Sequence, residues 1–268
     1  MDAFGRSYRR VITQRNNTIS SIEIMANLFP KSLLRSLQIY DETSCFRISD
    51  PKNDLVMKDG KIHFWQSQSE NKMNLKLIKG SHAIERVERF KYAIIFNETY
   101  FINEELFFLE NYADTFGFIC VTFQVFGEKE QTLISDYKKP QHESFHEIAV
   151  AKDYIKLFCC GHIEYIQHPC HYWSTLFLSY RGYQEKTIWQ YCIDNDPQIS
   201  GIFCSENSDI IESGITVGSR CDGTREFHGK MTSFEIYNKD DYNGLLFPEP
   251  MKQLIISQQM VSVDAIKS

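Results

Sequence analysis

Residues 215–238, ITVGSRCDGTREFHGKMTSFEIYN, constrain the fold of this chain more than any other stretch. Ile215 and Val217 alternate before Gly218, and Cys221-Asp222-Gly223 has the composition of a turn. Phe227, Gly229, Met231, Phe234, Ile236 and Tyr237 then carry one near-regular apolar face. The pattern predicts strand, glycine turn and strand, closed as a hairpin. Gly229 lies inside the second strand, where a missing side chain marks a bulge or a close backbone approach.

Other segments repeat the signal. Asp59-Gly60 is a two-residue hairpin turn between Leu55-Val56-Met57 and Ile62-His63-Phe64-Trp65. Strand patterns follow at 74–78, 89–96 and 99–102. FGFICVTFQVF, residues 116–126, is the most strand-like of all. Ile148–Val150 and Tyr154–Cys159 form a further hairpin turned at Lys152-Asp153. An aromatic content of 14% suits strands better than helices. No apolar run reaches the ~18 residues of a membrane-spanning helix.

Several segments resemble the laminin G-like and pentraxin-like members of the concanavalin A-like jelly-roll family. The 215–238 stretch is similar to the strand pair that closes those domains. Phe116 to Phe126 resembles their core strand, with Phe123 where Trp is usual. Trp173 to Tyr180 resembles their Trp-His-His strand, Arg181-Gly182 the turn after it, and Thr187 to Asn195 the next strand and turn. The resemblance implies an all-β jelly-roll sandwich over residues 46–240. A basic, partly helical extension (1–45) precedes it, and a tail (241–268) packs on the sandwich. It does not imply one activity, because that sandwich hosts lectins, glycosidases and docking modules.

Charge is uneven. Residues 1–40 hold six Arg or Lys against Asp2 and Glu23, a net +4 in a chain of −6. The expectation is an arm that anchors to an acidic protein surface through Arg6, Arg9, Arg10 and Arg15, with Phe4 and Tyr8 as apolar pegs. A capping box, Ser20 to Glu23, opens a short helix behind it. On this reading the protein is a non-enzymatic scaffold or accessory subunit of a larger intracellular assembly. The alternative is a lectin-like glycan binder, with or without calcium. The overall charge argues against nucleic acid as a partner. MDAFGRSYRR lacks a signal-peptide apolar stretch, so the eight cysteines are expected as free thiols in a reducing compartment, cytoplasmic or mitochondrial.

Three constellations bear on chemistry. Cys160, His162, His168, Cys170 and His171 are the ligand types zinc prefers, in what reads as one loop. No C-x-x-C pair accompanies them, and Ile163 and Tyr165 between them read as packing residues. Glu206 and Asp209 echo the Glu-x-Asp of laminarinase-type hydrolases. Their spacing of three puts them on opposite faces of a strand, so catalysis is not expected. Asp194, Asp196, Asp209, Glu212 and Asp222 offer hard oxygen donors for calcium, without a fixed-spacing loop. No cofactor is implied.

Overall fold

The computed structural model describes residues 43–48, 50–68, 73–80, 83–87, 91–104, 116–137, 146–183, 186–194, 196–206 and 214–239. All lie in one compact unit, Asp41–Asp241. The arm residues Phe4, Arg6, Tyr8, Arg9, Arg10 and Arg15, the Ser20 helix and the 241–268 tail lie outside the described residues. So do Asp209 and Glu212.

The fold is an all-β sandwich of two antiparallel sheets. The strands run in chain order. β1 (Thr43–Arg47) is followed by a short helix, α1 (Pro51–Asp54), which Asp50 caps at its N-terminus. β2 (Leu55–Lys58) and β3 (Lys61–Gln66) are the expected hairpin, and Asp59 and Gly60 both take positive φ, as its tight turn demands. Then come β4 (Asn74–Lys79), β5 (Ala83–Val87), β6 (Lys91–Phe96), β7 (Tyr100–Asn103), β8 (Phe116–Val125) and β9 (Gln131–Tyr137). β10 (His146–Val150), β11 (Tyr154–Cys159) and β12 (His162–Gln167) form a meander. β13 (Ser174–Tyr183), β14 (Lys186–Ile193), β15 (Asp196–Glu206), β16 (Gly214–Val217) and β17 (Gly229–Lys239) complete the chain.

One sheet has eight strands, ordered β15-β14-β13-β8-β17-β6-β5, with β1 also paired to β17. The other has nine, ordered β12-β11-β10-β9-β16-β7-β4-β3-β2. Their inner faces meet in one aromatic core. Phe46 stacks on Phe234 and meets Trp65 edge-on, Trp65 touches Phe101, and Phe96 links Phe101 to Phe227. All six are fully buried. Edge-to-face contacts of this kind add to what their burial contributes.

Three expectations are corrected. First, β16 and β17 are not a hairpin. β16 sits between β9 and β7 in the nine-stranded sheet, while β17 lies beside β8 at the middle of the other. The long 218–228 connection arches from sheet to sheet, and its Phe227 fills the core between them. Alternation alone cannot distinguish an arch from a hairpin. Second, the hairpin after β13 closes beyond Tyr183, not at Arg181-Gly182, since Gly182 still pairs with Thr187. Third, residues 160–171 are not one loop. Cys160 and Gly161 both take positive φ and make a two-residue turn into β12. Cysteine is not among the residues that usually signal that turn.

The close approach at Gly229 is present: a Cβ there would collide with the Gln124 carbonyl oxygen. The spacing from Met231 to Phe234 marks a register shift on β17, and both side chains stay in the core because of it.

Gly218 has φ +93 and an added Cβ would meet the Phe96 ring at 2.7 Å. Gly60 has φ +73 but open space around it. Gly218→Ala should therefore cost about 2–5 kcal/mol from backbone strain plus overpacking, and Gly60→Ala only about 1–2 kcal/mol from strain. Urea unfolding of both variants measures the difference.

Candidate functional site

The most chemically dense region is the outer face of the nine-stranded sheet at β9 to β12. Side chains alternate along each strand, so Tyr154, Lys156 and Phe158 of β11 face away from the core that Ile155, Leu157 and Cys159 enter. The register sets Lys156 against Tyr165 and Phe158 against Ile163 of β12. On the other side it sets Phe158 against Glu147 of β10, and Glu147 against Ser135 of β9.

The 218–228 arch provides the wall. Gly218 N–H donates to the Leu133 carbonyl at 2.9 Å, and Thr132 N–H to the Arg225 carbonyl at 2.7 Å, docking the arch on β9. Its tip is tight. Gly223 takes positive φ, and Asp222 accepts from Thr224 N–H at 2.9 Å. Partial burial works against the Asp222 charge. The Thr224 hydrogen bonds and nearby Arg220 still hold its carboxyl below the usual range. Arg220 and Arg225 are thereby fixed over the sheet.

These residues form a charge network. Glu130 accepts from Arg225 at 2.7 Å, from Lys156 at 3.1 Å and from the Tyr154 hydroxyl at 3.1 Å. Glu147, nearly buried, accepts from the Thr132 hydroxyl and lies 3.6 Å from Arg220 Nε and 3.8 Å from Arg225. Burial, and then the Glu130 charge, push the Tyr154 hydroxyl up, so it remains a proton donor. Beside the network stands an apolar edge. Tyr165 is 55% exposed, Ile163 is 46% exposed, and the Tyr165 ring packs edge-on against Tyr154, 5.7 Å between centroids. Ile163 and Tyr165, expected as packing residues, instead face outward.

The arrangement suits binding. Both carboxylates are held by guanidinium groups. Each accepts hydrogen bonds from the groups around it.

The residues that might have bound zinc are not brought together. β12 is six residues long, so His162 at its start and His168 just after it stand roughly 20 Å apart. His162 stacks on Phe203 at 4.8 Å between centroids. His168 Nε2 lies 2.8 Å from the Ser174 hydroxyl and 3.5 Å from Asp194. Both partners meet the same nitrogen, so the three are not a nucleophilic relay. Burial lowers His168, against the opposing effect of Asp194. The Cys170 thiol donates to the Tyr154 and His168 carbonyls, and burial pushes it up to about 12. His171 packs on Tyr172. Cys160 lies 3.1 Å from His146, a residue outside the expected set. Among the described residues no cluster of His, Cys, Asp or Glu is arranged to hold a metal ion. The calcium candidates are also dispersed: Asp194 accepts from Thr175 N–H and Asp196 from Gln198 N–H. Glu206, exposed at the end of β15, faces Lys186 at 3.8 Å.

No family model matches the chain, and no curated protein matches it. Solved structures do. Domain 4 of AbnA, an extracellular arabinanase from Geobacillus stearothermophilus in complex with arabinotriose, aligns at 11% identity over 72% of this chain and 90% of that one, with a TM-score of 0.47. The CBM40 of the Ruminococcus gnavus IT-sialidase, bound to α2,3-sialyllactose, aligns at 13% over 47% and 77%, with a TM-score of 0.38. An arabinofuranosidase complexed with arabinofuranosyl-α-1,2-xylobiose aligns at 11% over 68% and 48%, with a TM-score of 0.45. The scaffold-subunit expectation is corrected on this finding. The structures similar to this chain include a carbohydrate-binding module and glycosidases, and the anchoring arm lies outside the described residues.

Two tests follow. Glu147→Ala removes the acceptor of Thr132 and the counter-charge of Arg220 and should cost about 2 kcal/mol. Loss of Glu128, whose bond to Lys152 is exposed, should leave the melting temperature nearly unchanged. Thermal melts of both variants compare them. The second test concerns pH. Burial disfavours charge on His146, but Asp136 and Cys160 outweigh it and raise the ring from 6.5 to about 9. The stability this charge contributes is complete below 6.5 and is lost as pH rises through about 9. A melting series across that window should show the loss, and His146→Gln should flatten it.

Proposed function

We propose that this chain is a non-catalytic, lectin-like glycan-binding sandwich of the concanavalin A-like type that its strand motifs resemble. One observation carries the reading: the exposed Tyr165 ring stands beside a hydrogen-bonding network of Tyr154, Lys156, Glu130 and Arg225. A sugar ring has an apolar face of C–H groups and a rim of hydroxyls. The first packs on an aromatic face, and the second needs donors and acceptors held in fixed positions. Here Tyr165 and Ile163 supply the apolar surface. Lys156 and Arg225 supply donors, and Glu130 supplies an acceptor.

The ligand class is a neutral oligosaccharide. Glu130 pairs with both Lys156 and Arg225, and Glu147 lies against Arg220, so each cation already holds a carboxylate partner that an acidic sugar would have to displace. Calcium has no part in the proposal, because the site's donors are side chains already paired with one another.

A glycan array with sialylated and neutral arms tests this. The expected result is binding to neutral oligosaccharides that survives chelation. Tyr165→Ala should weaken it by roughly tenfold or more with little change in melting temperature, since the ring is largely exposed. Absence of glycan binding, or binding untouched by Tyr165→Ala, refutes the proposal.

A further inference from the structure

A second cluster lies where β9, β10 and the β11–β12 turn meet. Its members come from three places in the chain. Asp136 is on β9, His146 opens β10, and Cys160 sits in the turn between β11 and β12. The histidine is buried between them. Its Nδ1 lies 3.5 Å from Asp136 Oδ2, and its Nε2 lies 3.1 Å from Cys160 Sγ. The same Asp136 oxygen accepts from the His146 backbone N–H at 3.2 Å, which fixes the carboxylate against the ring. The Trp189 ring, 5.8 Å away, packs against the imidazole.

Order matters here. A carboxylate at Nδ1 keeps the ring proton on that nitrogen and leaves Nε2 as the acceptor of the thiol proton. Transfer of that proton gives a thiolate beside an imidazolium, the charged form the ring holds at neutral pH and the pairing that makes a cysteine nucleophilic. Cys159, Cys170 and Cys204 stand in different surroundings. Cys159 is buried, and burial pushes its thiol up; Cys170 is buried likewise. Cys204 is exposed, and partial burial of its sulfur is the main cause of an upward shift there too. Cys160 is only partly buried, so a small reagent can reach it.

We propose that Cys160 is a reactive thiol, activated by His146 with Asp136 as positioning residue, and that hydroperoxides oxidise it to the sulfenic acid. The thiolate sulfur attacks one peroxide oxygen. An S–O bond forms and the O–O bond breaks. The departing hydroxide takes the proton that His146 received from the thiol and leaves as water. Sulfur gives up two electrons and the peroxide accepts them, so thiol plus hydrogen peroxide becomes sulfenic acid plus water.

The test uses the reduced full-length protein, dilute hydrogen peroxide and a cyclic-diketone trap for sulfenic acid. Peptide mass spectrometry then reads the rate at each cysteine. Cys160 should be trapped at least about tenfold faster than Cys204 in the same sample at neutral pH, because an unactivated thiol is only a few per cent ionised there. His146→Gln should bring Cys160 down to the Cys204 rate while leaving Cys204 itself unchanged. Asp136→Asn should give an intermediate rate. A wild-type Cys160 no faster than Cys204 overturns the proposal, as does a folded His146→Gln variant that keeps the fast rate. Where neither variant folds, the wild-type ratio decides alone.

Discussion

The position of β17 is the constraint on which the rest of the sandwich depends. It pairs along nearly its whole length with β8 and, on its other edge, with β6 and β1. The last described strand is thus the middle of its sheet. β1 and β6 cannot complete their hydrogen bonding until β17 arrives. Phe234 and Met231 on its inner face also close the aromatic core begun by Phe46 and Phe96. Such long-range pairing is entropically expensive to form and makes sandwiches of this kind slow to fold. Gly229 is the concession this position requires, because the Gln124 backbone of β8 runs where a side chain would be.

The arch before β17 joins structure to the proposed activity. It leaves the nine-stranded sheet, inserts Phe227 into the core, and enters the other sheet at Gly229. Because both ends are pinned, the tip between them is held firmly on β9. Arg220 and Arg225 therefore reach Glu147 and Glu130 from a loop without being loosely tethered. A binding platform gains from such preorganisation, since less side-chain entropy remains to be lost when a ligand arrives.

Much of the strand pattern was legible in the residues. Asp59-Gly60 named its own hairpin, and the alternation of β11 revealed which side chains face the core. The failures have physical causes. Cys160 adopts a positive φ that cysteine rarely signals, so β12 was hidden inside an expected loop, and with it the exposed Tyr165. Histidine and cysteine were grouped by nearness in sequence, whereas a strand between them carries them to opposite ends. Glu130 and Glu147 lie far along the chain from Arg220 and Arg225, and nothing local to either pair points to the other.

Local chemistry is what a sequence contains. Alternating apolar residues, an abundance of Phe and Tyr and a few glycine turns determined that this chain forms strands and buries them as a two-sheet sandwich. Which sheet each strand joins was decided only by the tertiary structure. A strand's alternation says which face is buried but not which neighbour it meets, and that choice depends on how all the inner faces pack at once. The same holds for the two polar clusters. Glu130 meets Arg225, and Cys160 meets His146, because separate strands deliver them to one place.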